Sequence, residues 1–118
     1  MTDTAADVAA TYLRAWRDGD FATLRAILAD DATFDGPLGQ ARGADECVAG
    51  LQHMSKIMTG ITERKTWADG GDVVTWFDLH TADTVPMPTV NWRHVENGKI
   101  TSIVVTFDPR PLTDGPRR

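Results

Sequence analysis

The sequence has little of what disulfide, metal and membrane proteins require. Its single cysteine, Cys47, cannot form an internal disulfide, and its position among small residues of a predicted helix favours a buried, inert thiol over a nucleophile. The 3 histidines are widely spaced, and no cysteine or carboxylate cluster accompanies them, so we expect no metal site. The N-terminal stretch carries acidic residues and no long apolar run, which is typical neither of a signal peptide nor of a membrane span. We therefore expect a cytoplasmic protein.

Positive charge is also scarce. The chain has 12 Lys and Arg against 17 Asp and Glu, which gives a formal net charge of −5. Because no overall positive field attracts phosphate backbones or anionic lipids, we expect neither nucleic acid nor membrane as a partner. A chain of 118 residues with 42% hydrophobic residues can bury the core of one domain. We assign that domain to residues 1–109 and expect an irregular, proline-containing tail at 110–118.

Helical periodicity dominates the first half of the chain. Residues 4–18 are predicted to form a helix capped by Thr4 and Asp7 and ended by Gly19. A shorter helix capped by Asp20 follows, then a brief strand at 32–35 and a loop at 36–39. A third helix is predicted from Gly43 to Gly60, with its buried stripe formed by Val48, Leu51, Met54 and Met58.

From residue 61 onward the hydrophobic period changes to two. This pattern predicts strands at 61–69, 72–81, 88–96 and 99–107. Asn97-Gly98 is the clearest turn signal, because a two-residue hairpin turn needs positive φ at both central positions. Helices first and strands last indicate an α+β fold, with three helices covering one face of a curved antiparallel sheet.

This element order resembles the nuclear transport factor 2-like superfamily, whose members include SnoaL-like polyketide cyclases, ketosteroid isomerases and limonene-epoxide hydrolases. The resemblance is carried by YLRAWRDGDFATLRAILADDATFDGPLGQARG (12–43) and HVENGKITSIVVTFDP (94–109). It implies a cone-shaped α+β barrel with a deep apolar pocket, and a homodimer formed through the sheet. An exposed sheet face bearing Trp or Val would favour pairing with a second copy of the chain.

The isomerase branch implies two hydrogen-bond donors. Tyr12 falls where that family places its oxyanion-stabilising tyrosine, and Asn91 falls near the second donor, which is an acid in the family. The expected general base is missing, since Gly36 precedes Pro37 and Asp35 is one position early, on the opposite face of a strand. The alternatives are a core hydroxyl for Tyr12 and a solvent-facing edge position for Asn91.

The strand predicted at 72–81 has two faces, and the sequence leaves open which one lines the pocket. One face carries Trp76, Asp78 and His80 together with Val74; the other carries Val73, Thr75, Phe77 and Leu79. If the first face lines the pocket, a carboxylate desolvated beside Trp76 would suit a general acid or base, with His80 sharing the proton. The resemblance to epoxide hydrolases also implies a catalytic role for Asp78, although the arginine of that family is Trp76 here and its last-strand acid is Val105 or a neighbour. The alternative is an ion pair on an outward face, for which Arg93 is the expected partner.

We therefore predict cofactor-free acid/base chemistry on a small hydrophobic molecule: isomerisation, cyclisation, dehydration or epoxide opening. The predicted catalytic residues are Asp78, Tyr12, Asn91 and His80. The predicted substrate-binding residues are Trp16, Phe34, Leu38, Met54, Met58, Trp76, Arg93, Val105 and Phe107. His53 and His94 are expected at the surface or an interface. The rival hypothesis is a ligand-binding or dimerisation module without turnover, and neither hypothesis involves a cofactor.

Overall fold

A computed structural model of the chain describes residues 4–113. Its helices are α1 (Ala5–Asp18), α2 (Phe21–Ala26), α3 (Ala44–Ser55) and α4 (Arg110–Thr113). Its strands are β1 (Leu28–Gly36), β2 (Gly39–Arg42), β3 (Met58–Asp69), β4 (Asp72–Thr81), β5 (Met87–Glu96) and β6 (Lys99–Thr106). The fold is α+β, with a curved, mostly antiparallel sheet under the N-terminal helices, as predicted.

Local signals in the sequence fix the ends of α1. The Thr4 hydroxyl accepts a hydrogen bond from the Asp7 N–H, and the Asp7 carboxylate accepts one from the Thr4 N–H, which completes the predicted capping box. Gly19 ends the helix with φ of 73°, a conformation that glycine adopts at little cost. These caps set the length of the helix that carries Tyr12 and Trp16 over the sheet.

The six strands form one sheet in the order β2-β1-β6-β5-β4-β3. The β1–β6 pair is parallel and all other pairs are antiparallel. The core lies between the inner face of this sheet and the helices α1, α2 and α3. The Trp16 indole N–H donates to the Leu51 carbonyl at 2.9 Å, which ties α1 to α3 across the top of the core.

Several boundaries differ from those that the sequence predicts. The third helix ends at Ser55, and Met58 begins β3 instead of extending the helical stripe to Gly60. The first strand is longer than predicted, because its residues from Leu28 onward pair with β6 across a register shift. The predicted loop at 36–39 is reduced to the turn between β1 and β2.

The C-terminal stretch predicted to be irregular begins with the single-turn helix α4, and residues 114–118 lie outside the described residues. None of the helices that the structure describes is long and apolar enough to cross a membrane. The cytoplasmic location stays a prediction.

Candidate functional site

A cavity of about 280 Å³ lies between the inner face of the sheet and the helices α1 and α3. It is close to the lower end of the usual size range for small-molecule sites. Its wall is mostly apolar and comes from both helices, from the β1–β2 turn and from the five strands β1, β2, β4, β5 and β6. The lining residues are Tyr12, Trp16, Phe34, Gly36, Pro37, Leu38, Gly39, Gln40, Ala41, Cys47, Gly50, Leu51, His53, Met54, Phe77, Leu79, Thr89, Asn91, Val105 and Phe107.

Tyr12 and Asn91 supply the buried polar pair of the cavity. Tyr12 is fully buried on α1, Asn91 is 1% exposed on β5, and the Asn91 Nδ2 donates to the Tyr12 hydroxyl oxygen at 3.2 Å. The Asn91 Oδ1 is buried and has no hydrogen-bond partner among the described residues. Rotating the Asn91 amide by 180° would exchange its Oδ1 and Nδ2 atoms, and Nδ2 would then be the atom without a partner. In either orientation the pair keeps hydrogen-bonding capacity that a ligand can use.

Burial keeps the Tyr12 hydroxyl protonated. Desolvation raises the pKa of Tyr12 from 10.0 to about 12, against smaller lowering effects from the Asn91 hydrogen bond and the positive charge of Arg93. The hydroxyl accepts from Asn91, and its own proton remains available for an acceptor atom. The arrangement can therefore donate a hydrogen bond to a carbonyl, phenolate or carboxylate oxygen.

Arg93 lies behind this pair and does not line the cavity. Its side chain is 0% exposed, and the guanidinium carbon is 5.5 Å from the centre of the Tyr12 ring. It donates to the Ala9 and Asn91 carbonyls at 3.2 Å and 3.4 Å and to the Thr75 hydroxyl, while its Nε has no partner. Burial lowers the pKa of Arg93, partly offset by Tyr12 and Glu63. Arginine nevertheless stays charged in proteins.

The mouth of the cavity is formed by the β1–β2 turn and by α3. Leu38, in the turn, is 48% exposed, and His53 and Gln40 line the same region. Cys47 is buried deeper on α3, where its thiol contacts the Ala32 carbonyl at 3.5 Å and desolvation raises its pKa. This agrees with the inert thiol expected from the sequence, because a raised pKa disfavours the reactive thiolate.

Of the predicted catalytic residues, Tyr12 and Asn91 line the cavity together. Of the predicted substrate-binding residues, six line it: Trp16, Phe34, Leu38, Met54, Val105 and Phe107. Met58, placed on β3 by the early end of α3, packs at the edge of the core beside Trp16 and lines a separate shallow depression. Arg93, also predicted to bind substrate, lies behind the cavity wall and does not line it.

The prediction that Asp78 and His80 lie in the cavity is wrong. The inner face of β4 carries Val73, Thr75, Phe77 and Leu79, so Trp76, Asp78 and His80 point away from the cavity. Asp78 forms an ion pair with Arg64 of β3 at 2.9 Å, and the His80 Nε2 lies 2.7 Å from the Thr62 hydroxyl. The predicted ion-pair alternative for Asp78 therefore holds, with Arg64 as partner instead of Arg93.

Trp76 belongs to the outer face as well. It is 41% exposed and lies 5.7 Å from the Arg64 guanidinium. Its neighbour across the sheet is Val90, whereas Asn91 pairs with Thr75. This register explains the error: paired residues share a face, so Asn91 and Trp76 cannot both point inward.

Sequence reasoning missed several residues of the lining. Strand alternation would have identified Phe77, Leu79 and Thr89 as lining residues if one inward-pointing residue had been known on β4 and one on β5. His53 was expected at the surface; it is exposed but also borders the cavity. Within residues 4–113, no group of three or more His, Cys, Asp or Glu residues could hold a metal ion.

Comparison with known proteins agrees with this fold. A crystal structure of a protein from Kribbella flavida superimposes with a TM-score of 0.86 at 28% identity, covering 92% of this chain and 89% of that one. An NTF2-like protein of unknown function from Cytophaga hutchinsonii gives a TM-score of 0.83 at 26% identity, covering 95% and 96%. An LEH-like epoxide hydrolase from M. tuberculosis gives 0.76 at 23% identity, covering 93% and 86%.

Sequence comparison gives the family. No curated protein matches the chain significantly. The family model of the SnoaL-like domain matches residues 9–103, a span that runs from α1 into β6 and includes Tyr12, Asn91 and Arg93. The chain therefore belongs to the SnoaL-like family of the nuclear transport factor 2-like superfamily.

Proposed function

We propose that the cavity binds one small, mostly hydrophobic molecule whose single polar group accepts a hydrogen bond from the Tyr12 hydroxyl. The observation that carries the proposal is the buried Tyr12–Asn91 pair with an unpartnered amide atom at an otherwise apolar wall. A mostly apolar cavity with a few placed polar groups is the usual form of a small-molecule site. A cavity of about 280 Å³ suits a bicyclic ligand of about a dozen heavy atoms.

The binding test uses 2-tetralone, a neutral bicyclic ketone, and isothermal titration calorimetry. The native chain should bind it, and Tyr12→Phe should weaken binding about fivefold to tenfold, because one hydrogen bond is lost. Val105→Phe should abolish binding by filling the cavity, which Val105 lines.

A matched control separates cavity filling from general damage. Val104 is the next residue on β6, points to the outer face and is 39% exposed, so Val104→Phe adds the same bulk outside the cavity. This variant should bind 2-tetralone like the native chain. Equal binding by the native chain and Val105→Phe would contradict the proposal.

Turnover is the second candidate function, and one observation favours it: His53 borders the same cavity as the two donors. An imidazole can take a proton at neutral pH, while Tyr12 and Asn91 would hold a developing enolate oxygen. The likeness to an epoxide hydrolase gives the fold alone and does not choose the reaction. Because Asp78 and His80 lie outside the cavity, they have no part in this candidate.

The same ligand tests turnover, since the carbon-bound hydrogens beside its carbonyl exchange through an enolate. In D2O the native chain should accelerate their exchange, followed by proton NMR, and His53→Gln should remove the acceleration while 2-tetralone still binds. If the native chain binds 2-tetralone but does not accelerate the hydrogen exchange, the enzymatic candidate is rejected and the binding function remains.

We also propose that the chain forms a homodimer through the outer face of the sheet. That face carries an apolar band, which we call the outer band: Trp67, Trp76, Val90, Trp92 and Val104, each 37–48% exposed. The strand register places Trp67, Val74, Trp92 and Val104 in one row across four strands, with Trp76 and Val90 in the next. An apolar band of this extent is typical of an interface, and one that is the same on both partners suits a twofold dimer.

A further inference from the structure

Arg93 carries a buried positive charge that no carboxylate contacts directly: the Glu63 carboxylate is linked to it only through the hydroxyls of Thr66 and Thr75. Within residues 4–113, every ion pair involves other cations, and the groups that Arg93 contacts are neutral oxygens of Ala9, Thr75 and Asn91. Its Nε donates to nothing. A fully buried charge is costly unless it is paired. A cation that lies in the core without a direct counter-ion therefore needs a reason.

The position of Arg93 relative to the cavity supplies that reason. Its guanidinium is stacked 5.5 Å from the Tyr12 ring, and the hydroxyl of that ring lines the cavity beside Asn91. The Asn91 backbone carbonyl also accepts from Arg93 Nη2 at 3.4 Å, so the cation and the polar pair form one connected unit. The lining includes no Asp, Glu, Lys or Arg side chain, and the buried guanidinium of Arg93 lies directly behind this wall.

We propose that Arg93 makes the Tyr12–Asn91 end of the cavity selective for an organic anion: a planar, hydrophobic molecule bearing one carboxylate. The inference rests on the proposed binding function and adds the class of ligand. In the bound state the carboxylate accepts hydrogen bonds from the Tyr12 hydroxyl and from the second N–H of the Asn91 amide, and the guanidinium on the face of the Tyr12 ring balances its charge. After the desolvation cost of the carboxylate is subtracted, the attraction between the two charges is expected to be worth about tenfold in affinity.

The experiment compares two probes of equal size, 2-naphthoate and 2-naphthamide, by calorimetry at pH 7.5. They differ in charge at the same position. The native chain should bind the carboxylate at least about tenfold more tightly than the amide. Arg93→Met should bring the two dissociation constants to within about twofold of each other, because the charge is lost.

Two variants control the result. Arg14→Met removes one positive charge from the exposed side of the same helix as Tyr12, and it should keep the native preference. Should Arg93→Met fail to fold, Arg93→Gln replaces it, since glutamine keeps two N–H donors without the charge.

The outcomes separate this inference from the proposed function. Tighter binding of the carboxylate that disappears with Arg93 supports the inference. Equal affinity for the two probes in the native chain, or an unchanged preference without Arg93, overturns the inference and leaves the cavity as a ligand site. Failure of both probes and of 2-tetralone to bind overturns the proposed function and this inference together.

Discussion

Tyr12 is the only tyrosine in the chain, so its ionisation can be followed directly by the ultraviolet absorbance of the phenolate. We expect a midpoint near pH 12 in the folded protein, because burial raises the pKa to about 12, and near pH 10 after unfolding in denaturant. A folded-state midpoint near 10 would mean that the hydroxyl is exposed to water. That result would contradict the buried polar pair.

The same ionisation affects stability. The folded pKa lies above the unfolded value, so the contribution of Tyr12 is complete below pH 10 and is lost as the pH rises from 10 through about 12. The expected loss is about 2–3 kcal/mol in the free energy of unfolding. The Tyr12→Phe variant should not show this loss of stability. Denaturant titrations of the native chain and the variant at pH 9 and pH 11.5 would measure the difference.

At the level of single residues, the sequence predicted the pair Tyr12 and Asn91 but misplaced Asp78 and His80. Alternation shows which residues of one strand share a face, but it does not show which face is inward. Pairing between strands settles that question, since Thr75 faces Asn91 and Trp76 faces Val90. The register depends on loop lengths and bulges, such as the shift between Glu63 and Lys65, which no local signal marks.

At the level of elements, turn chemistry gives a stability prediction. The Asn97-Gly98 turn joins β5 to β6 with φ of 53° and 76°, so Gly98→Ala should lower the free energy of unfolding by about 1 kcal/mol. Gly50 lies within α3, where an added Cβ meets nothing within 4 Å, so Gly50→Ala should raise that free energy by about 0.5–1 kcal/mol. Thermal denaturation of both variants measures whether their free energies of unfolding change in opposite directions. Equal effects would show that backbone conformation does not govern these positions.

Elements with strong local signals were the predictable ones. The capping box of α1 and the hairpin of Asn97-Gly98 were found where the sequence places them. The end of α3 was missed because Met54 and Met58 continue the helical spacing while the chain already enters β3. The parallel β1–β6 pairing was not predicted, since it joins residues about 70 positions apart and depends on tertiary contacts.

At the level of the whole molecule, the outer band makes the dimer testable. Trp76→Glu places a charge in the outer band and should convert a dimer to a monomer in analytical ultracentrifugation. Val85→Glu is the control, because Val85 is 74% exposed but lies in the β4–β5 loop, outside the band. A native chain that sediments as a monomer at micromolar concentration would contradict the proposed dimer.

A crystal structure of the chain with 2-tetralone would show whether a hydrophobic molecule occupies the cavity with its polar group at Tyr12 and Asn91. The rings should lie between α1, α3 and the inner sheet face, with the ketone oxygen within about 3 Å of the Tyr12 hydroxyl. A ligand bound only on the outer band, or a cavity filled by its own side chains with the ligand absent, would contradict it.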